Sequence, residues 1–177
     1  MKALSFALLA LATLPLVSDA QAQDTKLREF VVHEMNNEGQ HVYRDSRIPD
    51  RPDTTICYIY VGRKASGPLW LRLQVRHAGF RALDMHSITF TKGNVSLSMK
   101  LMPDLVHTGN NGVMQWEWYD APPNENEIKA IRAIIADPGV TLTLIGHKDT
   151  ITRELSETER LAMQNMAEQA LELGRNQ

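Results

Sequence analysis

Trp116 and Trp118 lie two residues apart behind Met114, so on an extended strand the three share one face. Two exposed indoles at that spacing would make a stacking platform for a sugar ring. Large aromatics on a strand more often fill a core, each burying about 150–250 Å2, and that is the role expected of this pair. Trp70 keeps different company. In Leu69–Trp70–Leu71–Arg72–Leu73–Gln74–Val75–Arg76 the odd positions are aliphatic, and Trp70 shares its parity with Arg72, Gln74 and Arg76. An indole beside two guanidinium groups on a wet face has the composition of an anchor for a protein partner. An indole packed beneath a helix or loop is the alternative, and both stay open. Arg72 and Arg76, with Lys100 and the hydroxyls of Ser87, Thr89, Ser96 and Ser98, would build a polar, locally basic sheet face. Such a face suits an anionic glycan or a lipid head group, or simply water, since antiparallel sheets commonly expose one side. Arg63 and Lys64 would extend it from the neighbouring loop.

The other reactive residue types form no constellation. Six histidines occur, at positions 33, 41, 77, 86, 107 and 147, without an H-x-H or H-E-x-x-H spacing and without a zinc interval to Cys57. His147 and Asp149 flank a turn, which is one ligand pair and not a cage. No metal and no cofactor is therefore expected. There is no G-x-S-x-G nucleophile motif and no glycine loop to cradle phosphate. Glu117 and Asp120 are three apart, which puts them on opposite faces of a strand, whereas glycoside hydrolysis needs two carboxylates about one bond. These absences lean the reading toward binding without catalysis.

Composition narrows the class. A net charge of −2 lacks the basic footprint of a nucleic-acid binder. Met1–Lys2, the apolar run Ala3–Val17 and Ala20–Gln21–Ala22 have the form of a secretory signal peptide over residues 1–22, too short for a membrane span of about 20 apolar residues. Cleavage is expected after Ala22, leaving 23–177 as a single exported domain, periplasmic or secreted, with no transmembrane segment in the mature chain. Cys57 is the one cysteine, so no internal disulfide forms and packing alone must hold the fold. Set in Ile56–Cys57–Tyr58–Ile59–Tyr60–Val61, it reads as a small buried hydrophobe.

The elements that must position these residues follow from a period of two. Residues 30–35 and 41–44 suit a first pair of strands around Asn36–Asn37–Glu38–Gly39. Residues 54–61 are apolar on both parities, as a central strand covered on both faces would be. Leu69, Leu71, Leu73 and Val75 should turn inward, as should Ile88 and Phe90, then Val95, Leu97 and Met99. Gly93–Asn94 fits a type II′ hairpin turn that pairs Thr91 with Ser96 and Phe90 with Leu97. Residues 107–112 read as a loop and 113–120 as a strand. Asn124 with Glu127 and Ser156 with Glu159 are capping boxes, opening helices over about 124–136 and 157–173, the latter stopped by Gly174. Between them, 140–146 and 150–153 form a second hairpin.

The order Leu71–Arg72–Leu73, then Trp116–Glu117–Trp118–Tyr119–Asp120–Ala121–Pro122, an Ile-rich helix, Ile145–Gly146 and a Ser156-capped helix resembles a loose group of exported bacterial β-sandwich proteins with a C-terminal helix and no assigned activity. The likeness covers about residues 68–173, and it implies a fold and a compartment and no chemistry. The expectation is a mainly β fold with α cover: an antiparallel sandwich or curled sheet of seven to nine strands. Its expected role is an exported soluble protein-interaction module; a glycan- or lipid-binding sandwich is the alternative, and an enzyme with a noncontiguous site a further one.

Overall fold

The computed structural model describes residues 31–49, 51, 53–64 and 67–175, the side chains of 172–175 excepted, so the expected signal peptide over 1–22 lies outside the described residues. Ten strands and two helices follow in the order β1 (Val31–Met35), β2 (Gln40–Asp45), β3 (Ile56–Lys64), β4 (Leu69–Gly79), β5 (Met85–Lys92), β6 (Val95–Lys100), β7 (Val106–Asn110), β8 (Gln115–Ala121), α1 (Glu125–Ile135), β9 (Thr141–Gly146), β10 (Thr150–Glu154) and α2 (Glu157–Arg175). One sheet runs β1-β2-β3-β4-β8-β7 and the other β10-β9-β5-β6, both antiparallel. Neither closes on itself, so the expected mainly β architecture with helical cover is the one observed. None of the described helices is long and apolar enough to cross a membrane.

Alternation along the strands sorts side chains between a shared interior and two outward faces. Cys57, Ile59, Val61, Leu73, Val75, Tyr119 and Ala121 of the first sheet meet Ile88, Phe90, Met99, Leu142 and Leu144 of the second in one core. Ile131, Ile134 and Ile135 of α1 and Met163, Met166 and Ala167 of α2 close it. Leu69 and Leu71 are half-buried against that core. Val95 departs from expectation at 59% exposed: it sits beside the hairpin turn, past the end of the interior. The turn itself is as read, with Gly93 at φ 56° and Thr91, Phe90 and Thr89 opposite Ser96, Leu97 and Ser98.

Three further boundaries differ. Residues 106–110 form an edge strand and not a loop; Val-His-Thr-Gly-Asn carries no alternation, and the strand exists because it lies in register against β8. β3 is central, with Cys57, Ile59 and Val61 in the main core and Ile56 buried against Ile48 and Ala162, while Tyr58 and Tyr60 point outward and stay half-buried. α2 runs through Gly174 to Arg175 instead of stopping there.

Both capping boxes form. Asn124 accepts the Asn126 and Glu127 N–H groups, and Glu127 accepts the Asn124 N–H at 2.8 Å. At the other end of α1, Arg160 and Gln164 of α2 donate to the carbonyls of Ile135 and Ala136, satisfying groups a helix terminus leaves unpaired. The second box does more. Ser156 Oγ accepts the Glu159 N–H at 3.2 Å and Glu159 Oε2 accepts the Ser156 N–H at 3.0 Å. The same carboxylate accepts the Cys57 N–H at 2.8 Å and two Arg153 N–H groups at 2.8 and 2.5 Å. β2 pairs with β3 only from Val61 onward, so the Cys57 N–H would otherwise lack a ladder partner.

Burial alone would raise the Glu159 pKa, but the Arg153 hydrogen bonds and charge, with those from Ser156 and Cys57, hold it below its ordinary value of 4.5. A carboxylate held low in the folded state adds stability above its unfolded pKa and loses it as pH falls through the folded one. Glu159→Ala should cost about 3–5 kcal/mol, since it strands the Arg153 charge and the Cys57 N–H. Glu159→Gln should melt lower than the parent at pH 7 and lose less on acidification toward pH 3. Thermal melts across that range check both; equal acid sensitivity of the two proteins would refute the assignment.

Candidate functional site

Strand parity delivers to the outward side of the six-stranded sheet a band that no single segment contains. Val42, Gly62 and Trp70 stand side by side on β2, β3 and β4, and Tyr60 stands opposite Arg72. Next come Tyr58, Gln74 and Asp120, then Arg76, Trp118 and His107 (Ile56, beside Arg76 in the register, is buried), and last Ala78, Trp116 and Gly109. From Trp70 to Ala78 the band runs about 27 Å at roughly 3.4 Å per residue. All three tryptophans of the chain lie on it.

Trp116 and Trp118 are therefore not core residues. On β8 the buried parity is Glu117, Tyr119 and Ala121, and the two indoles are half-buried outside. Glu117 takes the interior place because its carboxylate accepts the N–H groups of Asp84 at 2.8 Å and Met85 at 3.2 Å, where Asp84 turns the chain at φ 61°. His77, opposite Glu117 in the register, is buried beside it with Nε2 3.2 Å from the Arg81 carbonyl. Glu117 and Asp120 face opposite ways, as their spacing requires.

Glycine seats two of the indoles. A Cβ on Gly62 would fall 2.1 Å from Trp70 Cη2 and Cζ2, and one on Gly109 would fall 2.3 Å from Trp116 Nε1. Each ring thus occupies space on the neighbouring strand that a Cβ would fill. Trp70 also meets the edge of Tyr60, ring centroids 5.6 Å apart at 87°, and Trp118 lies 5.3 Å from the His107 ring.

The polar members are bonded among themselves. Arg72 Nε donates to Asp120 Oδ1 at 2.5 Å, with a second bond to the Asp120 carbonyl, and Tyr60 donates to Asp120 Oδ2 at 2.7 Å. Tyr58 donates to Gln74, and Arg76 Nε to the Thr54 carbonyl at 3.0 Å. Burial, then the Asp120 charge and hydrogen bond, push the Tyr60 phenol far above its ordinary pKa, so it remains a donor at any physiological pH. Between this strip and the β1–β2 hairpin lie two shallow hollows, of about 360 Å3 beside Asn36, Gln40, Tyr60, Trp70 and Arg72, and about 270 Å3 beside Glu34, Arg44, Tyr58 and Gln74.

Lys100, Ser87, Thr89, Ser96 and Ser98 are not part of it. They occupy the outward side of the four-stranded sheet, across the core from Arg72 and Arg76, so the single basic face expected from sequence does not form. There the hydroxyls satisfy one another, Thr89 with Ser98 at 2.9 Å and Thr143 with Thr152 at 3.1 Å. Arg63 sits on the opposite parity to Trp70, and Lys64 is exposed opposite Gln40. Cys57 is fully buried, and burial followed by the Glu159 charge raises its thiol pKa, as expected of an inert cysteine. No three His, Cys, Asp or Glu side chains converge on a metal position among the described residues.

Sequence reasoning missed Tyr58, Tyr60, Asp120 and His107. The signal for the tyrosines was present: they alternate with Cys57, Ile59 and Val61. Because all three indoles lie on one face, tryptophan fluorescence reports that face alone. Gly62→Ala and Gly109→Ala should lift Trp70 and Trp116 off the sheet, giving a red-shifted emission and stronger acrylamide quenching with the melting transition retained; unchanged spectra would refute the seating. Compared with known proteins, the chain matches no family model, no curated protein and no solved structure.

Proposed function

We propose that this is a non-catalytic binding protein whose outer six-stranded face receives a protein partner. The observation that carries this is the gathering of Trp70, Tyr60, Tyr58, Arg72, Arg76, Trp118 and Trp116 into one band. Trp, Tyr and Arg are the side chains that dominate binding energy when covered. Their polar atoms support the reading as well. Arg72, Asp120, Tyr60, Tyr58 and Gln74 already have partners within the face, so covering them strands few unpaired groups. The rings are held by glycine seats and edge contacts, which lowers the ordering cost of association. Export, read from residues 1–22, would place the partner outside the cytoplasm.

A second reading rests on a separate feature. The hollow beside Trp70 combines an indole with Asn36, Glu38, Gln40 and Arg72, and aromatic faces with planar polar groups suit a saccharide ring. The two readings part on substitution. Against an enriched native partner, Trp70→Ala and Trp118→Ala should each weaken binding at least tenfold, or about 1.4 kcal/mol, and Lys100→Glu on the far sheet should change nothing. Calorimetry or surface plasmon resonance reads the difference. Binding that survives both tryptophan changes removes this face. Binding of free oligosaccharide that is abolished by Trp70→Ala but not by Trp118→Ala would select the second reading.

A further inference from the structure

The other side of the β1–β2 ribbon carries a pair of imidazoles in an unusual relation. His33 Nε2 and His41 Nδ1 lie 2.7 Å apart, with ring planes only 12° from parallel and centroids 5.0 Å apart. Rings stacked face to face cannot approach closer than about 3.5 Å. The two nitrogens therefore meet edge to edge, each lone-pair direction aimed at the other ring. Tyr43 flanks His33, centroids 4.7 Å apart at 17°, and holds that ring in place. Met35 stands opposite His41 in the register, on the same side of the ribbon as His33, and is 66% exposed.

Opposed imidazoles fit one of two occupants, a shared proton or a metal ion taking one nitrogen from each. Imidazole–metal bonds are about 2.0 Å, so a linear N–metal–N unit needs the nitrogens about 4 Å apart, an opening of some 1.3 Å. The pair can yield that much: β1 is the edge of its sheet and His33 is exposed. Charge and ligand type then choose the ion. Arg63 is the register neighbour of His41 and shares its side, which penalises a divalent cation more than a monovalent one. Asp45, the acid on the same side of β2, is buried and committed to Arg47 and Asn165, so no free carboxylate stands on that side among the described strand residues of the ribbon. Two imidazoles and a thioether are soft to borderline donors, a set that favours Cu(I) over zinc or magnesium.

We propose that His33 Nε2 and His41 Nδ1 form a binding site for a soft monovalent cation, Cu(I) in biology, with the Met35 thioether as a third ligand. On binding, the N–H proton between the rings moves through solvent to the far nitrogen of its own ring, leaving both facing nitrogens free to ligate. The two histidines lie on the opposite side of the ribbon from the proposed partner-binding face, while Met35 also borders the hollow beside Glu34, Tyr58 and Gln74. The His86–His147 pair serves as the internal control: its rings are 4.6 Å apart, tilted by 41°, with no nitrogen-to-nitrogen bond.

The test titrates the full chain with Cu(I) under ascorbate and argon against a chromophoric Cu(I) chelator, and in parallel with Ag(I) by calorimetry. One ion per chain is expected. His33→Ala, His33→Gln and His41→Ala should each weaken it at least tenfold, Met35→Leu severalfold, and His147→Ala not at all, with the melting transition of His33→Gln matching the parent. Affinity unchanged in the histidine variants, loss on His147→Ala, or tighter binding of Zn(II) than of Ag(I) would overturn the proposal.

Discussion

The carboxylate of Glu159 ties together three parts of the chain that local structure cannot join. It belongs to the first turn of α2, yet it accepts hydrogen bonds from Cys57 on β3 and from Arg153 on β10, besides closing its own cap with Ser156. One strand comes from each sheet, so the same anion fixes the helix start relative to both layers. A buried charge is tolerable only when its oxygens are filled and a counter-charge is near, and both conditions are met. α2 is thereby held where Met163 and Met166 fill the space beside Cys57, the thioether of Met163 lying 4.0 Å from the thiol. Asp45 acts in the same manner at the other end of the contact, binding Arg47 and reaching Asn165 of α2 at 2.7 Å.

With the inner face covered by helices and the second sheet, the outer face of the six-stranded sheet is left to be built from what the strands have over. That surplus is aromatic. The interior of such a fold is close-packed, and an outer face needs some other device to keep large rings in order. Here the device is steric: Gly62 and Gly109 leave room for the Trp70 and Trp116 rings on the backbone, and Asp120 collects Arg72 and Tyr60. Rings and polar groups of this face therefore meet partners within the sheet itself. Its opposite number, the hydroxyl-rich outside of the four-stranded sheet, carries no Trp, Tyr or Phe among the described residues, and its Thr and Ser side chains pair across strands.

Much of the fold was legible in the chain. The Ser156 and Asn124 caps, the Gly93 turn with its register and the inward Leu73, Val75, Ile88 and Phe90 all rest on interactions within a few residues of one another, and the structure has them where local chemistry puts them. The candidate site was legible only in part. Trp70, Arg72, Gln74 and Arg76 share one face of β4, which alternation along a single strand suffices to read. Trp116 and Trp118 were placed on the wrong side. Hydrophobicity favours burying indoles over a glutamate, and nothing local discloses that Glu117 would find the Asp84 and Met85 N–H groups inside. Lys100 was grouped with Arg72 because both lie on polar parities, although their strands belong to different sheets.

By itself, then, the sequence determined which residues share a face of each strand, where two helices begin and that one cysteine can form no internal bridge. These are matters of spacing and of short-range hydrogen bonding. Tertiary structure alone decided which face is covered, that β3 shows its tyrosines outward, and that β4 and β8 lie side by side to assemble the aromatic band. Strand partners separated by dozens of residues are chosen by total burial and by the pairing of buried polar groups, quantities summed over the whole chain that no window of sequence contains.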